Sequence, residues 1–110
     1  MSASVPLYEA KAELFRTLGH PTRIRVLEIL QQGPTTVREM LAILKLEPST
    51  LSQQLAVLRR AGLVSSSREA STVRYALATP DVADLLASGR RILGSTLASS
   101  RDLLDELNDD

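Results

Sequence analysis

The chain has 110 residues, close to the length of one domain. It is 44% hydrophobic but only 3% aromatic, so any core must be built mainly from Leu, Ile, Val and Ala. Without cysteine, disulfides, thiolate metal sites and cysteine nucleophiles are excluded. Net charge is zero, yet residues 1–80 hold ten Lys and Arg against six Glu, a balance of +4, and residues 81–110 hold three Arg against seven Asp and Glu, a balance of −4. A basic body is thus hidden behind an acidic tail.

The first predicted helix covers "VPLYEAKAELFRTLG", with Pro6 in its first turn, Leu7, Leu14, Phe15 and Leu18 on one stripe, and Gly19 as its stop. A second restarts at once in "HPTRIRVLEILQQG": Pro21 opens it, Ile24, Leu27 and Leu30 (with Val26) face inward, and Gly33 ends it. A third opens at Thr36, where Glu39 three residues on completes a capping box. After a tight turn at Leu46-Glu47-Pro48, a fourth helix runs to Gly62. The period then changes. Two strands, about 63–68 and 72–77, meet at a turn near Ala70-Ser71. Thr79-Pro80 begins one last long helix, 81–107, on which Leu86, Leu93, Thr96, Ser100, Leu103 and Leu107 fall near a ~3.5-residue repeat.

Helix, short turn, helix, hairpin is the plan of a winged helix-turn-helix. The expected fold is mainly α with a small β-hairpin wing, in the order α-α-α-α-β-β-α. A single domain spans 1–110, with the helix-turn-helix over 36–62 and the wing over 63–77. The fourth helix carries the chemistry. Leu51, Leu55 and Leu58 recur at helical spacing and need a core, whereas Ser49, Thr50, Ser52, Gln53 and Gln54 lie mostly between them. In the major groove, short side chains at the start of such a helix meet base edges, and glutamine can bond adenine through two hydrogen bonds. Arg59 and Arg60 leave the far end, and Arg68 and Arg74 lie on the hairpin; these four are expected at the DNA backbone, where contacts set register rather than sequence. A polar helix face more often meets only solvent. Here the turn before it, the hairpin after it, and four arginines against one acid between 48 and 75 favour nucleic acid.

The stretches "LGHPTRIRVLEIL" and "STLSQQLAVLRRAGLV", with a wing ending "VRYAL", resemble the ArsR/SmtB family of bacterial regulators over nearly the whole chain. The resemblance implies a homodimer built by the first and last helices, 1–19 and 81–107, that binds an inverted-repeat operator in double-stranded DNA. Leu7, Leu14, Leu86, Leu93, Leu103 and Leu107 are its expected interface residues, since a chain this short has few other places to bury so much leucine. It also implies that a metal ion can release the DNA. The chain departs from the pattern: Thr36-Val37 stand where metal sensors carry cysteine, and of the last-helix ligand positions only Asp81 has a ligating side chain. Its overall character is similar to nickel-responsive members. His20, the only histidine, is then the one candidate ligand for a weakly bound nickel or other N/O-ligated divalent ion, against its plainer role as a helix cap before Pro21.

No enzyme motif is present, because one histidine has no nucleophile partner and Gly19, Gly33 and Gly62 are helix stops rather than a phosphate loop. A winged helix serving only protein interaction is the other class, but it would show an apolar face on its fourth helix. No apolar run nears the ~20 residues of a membrane span, and the N-terminus lacks the pattern of a signal peptide. A cytoplasmic protein without membrane contact is expected.

Overall fold

The computed structural model describes residues 4–96 and 101–108. Helix α1 (Leu7–Leu18) leads into α2 (Pro21–Leu30), and a two-residue strand β1 (Thr35–Thr36) precedes α3 (Val37–Leu44) and α4 (Pro48–Arg60). Strands β2 (Val64–Glu69) and β3 (Thr72–Leu77) form the hairpin, and α5 (Pro80–Thr96) and α6 (Arg101–Asn108) follow. Helix α2 packs against α1, α3, α4, α5 and β3. It can do so because Val26, Leu27 and Leu30 are its buried side chains, two of them with no exposed surface at all. Leu18, Met40, Leu51, Leu55, Leu58, Leu63, Val64 and Val82 complete the core, so every element from α1 to α5 except β1 and β3 buries at least one aliphatic side chain in it. Among the described residues, no helix is long and apolar enough to cross a membrane.

The predicted caps are in place. Thr36 accepts from the Glu39 N–H through its hydroxyl (3.1 Å), and Glu39 accepts from the Thr36 N–H (2.9 Å) and hydroxyl (2.8 Å). His20 caps α2, its Nδ1 accepting from the Thr22 N–H at 3.2 Å. Helix α3 ends at Lys45, which takes a left-handed conformation (φ 55) while its N–H bonds the Leu41 carbonyl at 2.8 Å. That single residue turns the chain into α4, and it costs about 1–2 kcal/mol for a side chain other than glycine. Ala70 is also left-handed (φ 55), at the first position of the two-residue hairpin turn.

Two features correct the expected order of elements. The sheet has three strands, in the order β1-β3-β2, because Thr35 and Thr36 pair with Tyr75 and Arg74. Two residues are too few to show any period. The C-terminal segment is also two helices rather than one: the Arg90 guanidinium donates to the Leu107 carbonyl, and Leu107 lies against Gly94. In one continuous helix those ends would stand about 25 Å apart, at 1.5 Å per residue. Ser100, which the predicted stripe included, lies outside the described residues, as does the side chain of Leu103.

The Thr36 backbone N–H and hydroxyl bonds, with the nearby charge of Arg74, hold the Glu39 carboxyl below its ordinary value of 4.5. A lowered folded-state value means that the ionised carboxylate stabilises the fold above about pH 4.5 and loses that effect as the pH falls through the folded value. The wild type is therefore more stable than Glu39→Gln at pH ~7, and the gap narrows toward pH ~3. Urea denaturation at both pH values checks this; a gap independent of pH would show that the charge plays no part.

Candidate nucleic-acid interface

Helix α4 is divided by its own geometry. At about 3.6 residues per turn, Leu51, Leu55 and Leu58 fall on one side and are at most 2% exposed. Ser49, Ser52, Gln53, Ala56, Arg59 and Arg60 fall on the other and are exposed. No side chain caps the start of α4, where Glu47 and Pro48 stand. Pro48 has no N–H and the Leu51 N–H bonds the Glu47 carbonyl at 3.1 Å, which leaves the Ser49 and Thr50 N–H groups available to an acceptor. The chain thus presents a short-chained polar face, with donors and acceptors at one end and two cations at the other.

The structure separates the five predicted base-contacting residues. Ser49, Ser52 and Gln53 are exposed, whereas Thr50 and Gln54 are half-buried on the flank. Gln54 is a correction to the expected exposed set. Its carbonyl oxygen accepts from Arg23 Nε at 2.8 Å, and the same guanidinium donates from Nη1 to the Thr17 carbonyl at 3.3 Å. Sequence reading missed Arg23, because only the tertiary fold brings residues 31 apart into contact.

The four predicted backbone arginines also divide. Arg59 and Arg60 line a shallow cleft with Ser52, Ala56 and Tyr75, between α4 and the hairpin. In the β2–β3 register Ser66 faces Tyr75, Arg68 faces Val73 and Ser67 faces Arg74. Directly opposed residues share a face of a sheet. Arg68 therefore lies on the face of Tyr75, which turns toward α4, and is exposed. Arg74 lies on the other face, between Thr36 and Ser67, where its charge acts on Glu39.

Other exposed side chains are large and apolar. Leu7 (70% exposed), Tyr8 (73%) and Phe15 (57%) project from α1, and Ile92 (63%) and Leu93 (49%) from α5. Of the six predicted interface leucines, Leu7 and Leu93 are exposed, Leu14 and Leu86 are half-buried against the protomer's own core, and Leu107 is half-buried near Gly94. Tyr8, Phe15 and Ile92 were not among the expected interface residues, although Phe15 was placed on the leucine stripe of α1. A large apolar residue one position off a leucine stripe signals a second apolar face.

The donor set at His20 does not fit a divalent ion. Its Nδ1 lone pair already accepts the Thr22 N–H. Among the described residues, no group of three or more His, Cys, Asp or Glu could hold a metal.

Comparison with known proteins gives consistent results. Residues 20–66 match the family described as bacterial regulatory proteins of the arsR family. The uncharacterised HTH-type transcriptional regulator Rv0081 of Mycobacterium tuberculosis is 48% identical over 105 residues, covering 94% of this chain and 92% of that one. Its crystal structure superposes with a TM-score of 0.81 at 49% identity, covering 87% of this chain and 97% of the other. The solution structure of Mb0332 from Mycobacterium bovis, described as a homodimeric winged helix-turn-helix DNA-binding domain, gives a TM-score of 0.76 at 27% identity over 88% of this chain and 94% of that one. A probable mercury resistance operon repressor of Streptomyces lividans is 30% identical over 91 residues, which is 83% of this chain and 73% of that protein.

The cationic face can be tested apart from any sequence preference. Arg60→Ala should leave heparin at distinctly lower salt than Arg25→Ala. Both remove one charge, but Arg25 is already paired with Glu28 at 3.3 Å on α2. Equal elution of the two variants would show that the α4 face is not the polyanion site.

Proposed function

The chain belongs to the arsR family of bacterial regulatory proteins, and on that premise we propose that it acts as a homodimer on an inverted-repeat operator. One observation carries the reading: α4 buries all three of its leucines and leaves Ser49, Ser52 and Gln53 exposed together. A helix so held enters the major groove with its N-terminal residues at the base edges. Gln53 is assigned the most discriminating contact, since its amide can pair with both the N6 and N7 groups of adenine. Ser49 and Ser52 are less selective partners, and Thr50 reaches the groove only from the flank. Arg59 and Arg60 at the end of α4, and Arg68 on the wing, lie at phosphates. Arg74 shares its surroundings with the Glu39 carboxylate and contributes less.

Exposed apolar side chains on α1 and α5, and the homodimeric relative Mb0332, support a dimer. One winged helix reads one half-site. Two, held about one DNA turn apart, read both halves of a palindrome. The mercury specificity suggested for the Streptomyces relative is not carried over, because this chain has no cysteine and the His20 Nδ1 is already engaged. A nickel response has no donor set to support it among the described residues.

Gln53→Ala should lower discrimination between operator and scrambled DNA by about 1–3 kcal/mol, the size of a bidentate base contact, while thermal stability is unchanged. A gel shift on the duplex selected by the wild type from a random library reads this directly. Retained discrimination would remove Gln53 from the groove.

Leu93→Asp should shift the protein toward monomer and weaken operator binding together. Analytical ultracentrifugation and the same gel shift measure the two effects. A wild type that is monomeric at micromolar concentration, yet binds a full palindrome, would overturn the dimer.

A further inference from the structure

Arg23 is the one cation of α2 whose guanidinium is turned inward rather than to solvent or to a carboxylate. It is half-buried. Nε donates to the Gln54 carbonyl oxygen (2.8 Å) and Nη1 to the Thr17 carbonyl (3.3 Å). Thr17 is at the end of α1, the helix that carries Leu7, Tyr8 and Phe15. Gln54 is in the second turn of α4, next to Gln53. Between these two helices lies an open groove lined by Ala10, Glu13, Leu14, Thr17, Val57 and Arg60. The polar link through Arg23 therefore bridges a gap that apolar packing leaves unfilled.

We propose that Arg23 is a positioning residue for DNA reading: it locks Gln54 as a tether between α1 and α4 and so fixes the angle at which Gln53 meets the bases. The inference rests on the assignment of α4 as the reading helix. Its physical basis is the fork of the guanidinium, which holds two acceptors at once in fixed directions, as an ammonium group does not. The three buried leucines fix which side of α4 faces the core, but apolar contacts are non-directional and leave the fine angle of the helix less sharply set. The directional Arg23–Gln54 hydrogen bond on its flank narrows that angle. Gln54 then holds the reading helix in place and does not itself read a base.

The test uses the full-length chain and the duplex it selects from a randomised library, with scrambled duplex as competitor. The readout is the ratio of selected to scrambled affinity and its dependence on salt. Gln54→Ala should lower the ratio about tenfold, comparable to losing one good base contact. Gln54→Glu keeps an acceptor for Arg23 and should restore the ratio, even as the added negative charge lowers both affinities. Arg23→Lys keeps the charge but loses the fork; it should lower the ratio while leaving the salt slope unchanged. Thermal melts of all three variants identify any loss that reflects unfolding, and Gln54→Glu, which keeps the tether, then carries the decision alone. If Gln54→Glu loses discrimination as Gln54→Ala does, Gln54 touches a base itself and the proposal fails. A salt slope lowered by about 0.9 per contact in Arg23→Lys would place Arg23 at phosphate and also overturn it. A ratio unchanged in every variant would show that the tether does not act. Should the wild type select no duplex at all, the reading-helix assignment fails first, and the inference fails with it.

Discussion

The burial of Leu51, Leu55 and Leu58 decides the orientation of everything that faces outward. With Val26 and Leu27 of α2 and Met40 of α3, they are almost fully buried. Turning α4 by a third of a turn would expose one of these leucines, at a cost of about 1.5–3 kcal/mol for a side chain of this size. The polar face has no choice of direction once that core is made. The lone pairs and N–H groups that meet a partner are thus aimed by an apolar contact on the opposite side of the same helix.

The remaining elements serve to keep that core closed at its edges. The capping box at Thr36 starts α3, and Lys45 stops it abruptly enough for α4 to begin three residues later. β1 pairs with β3 and so joins the start of the helix-turn-helix to the wing. Arg68 lies on the same sheet face as Tyr75, which lines the cleft with Arg59 and Arg60. The left-handed Lys45 and Ala70 are local departures from what their side chains prefer, and surrounding structure must compensate for both.

The parts legible from sequence were those with a repeating pattern or a local chemical signature. The leucine spacing of α4, the Thr36–Glu39 box and Pro21 each encode a structure within a few residues. The change of period after Gly62 likewise disclosed the hairpin, though its turn contains no glycine. What escaped was set by contacts distant in sequence. Gln54 looks like Gln53 until Arg23, 31 residues away, is brought to it. Leu14 and Leu86 look like Leu7 and Leu93 in sequence, and only the tertiary fold shows that the first two are half-buried against the core while the last two are exposed. The break between α5 and α6 has no proline to mark it.

Because the buried and exposed sides of α4 share no residue, the two can change independently. Substitution at Ser49, Ser52 or Gln53 removes no core contact, and such surface changes usually alter stability by less than ~0.5 kcal/mol. Mutational drift can therefore change the chemistry of that face without first weakening the scaffold. The flank differs, because Gln54 is half-buried and hydrogen-bonded to Arg23. A lineage carrying this architecture can vary that exposed face through single substitutions, with the fold as a neutral background.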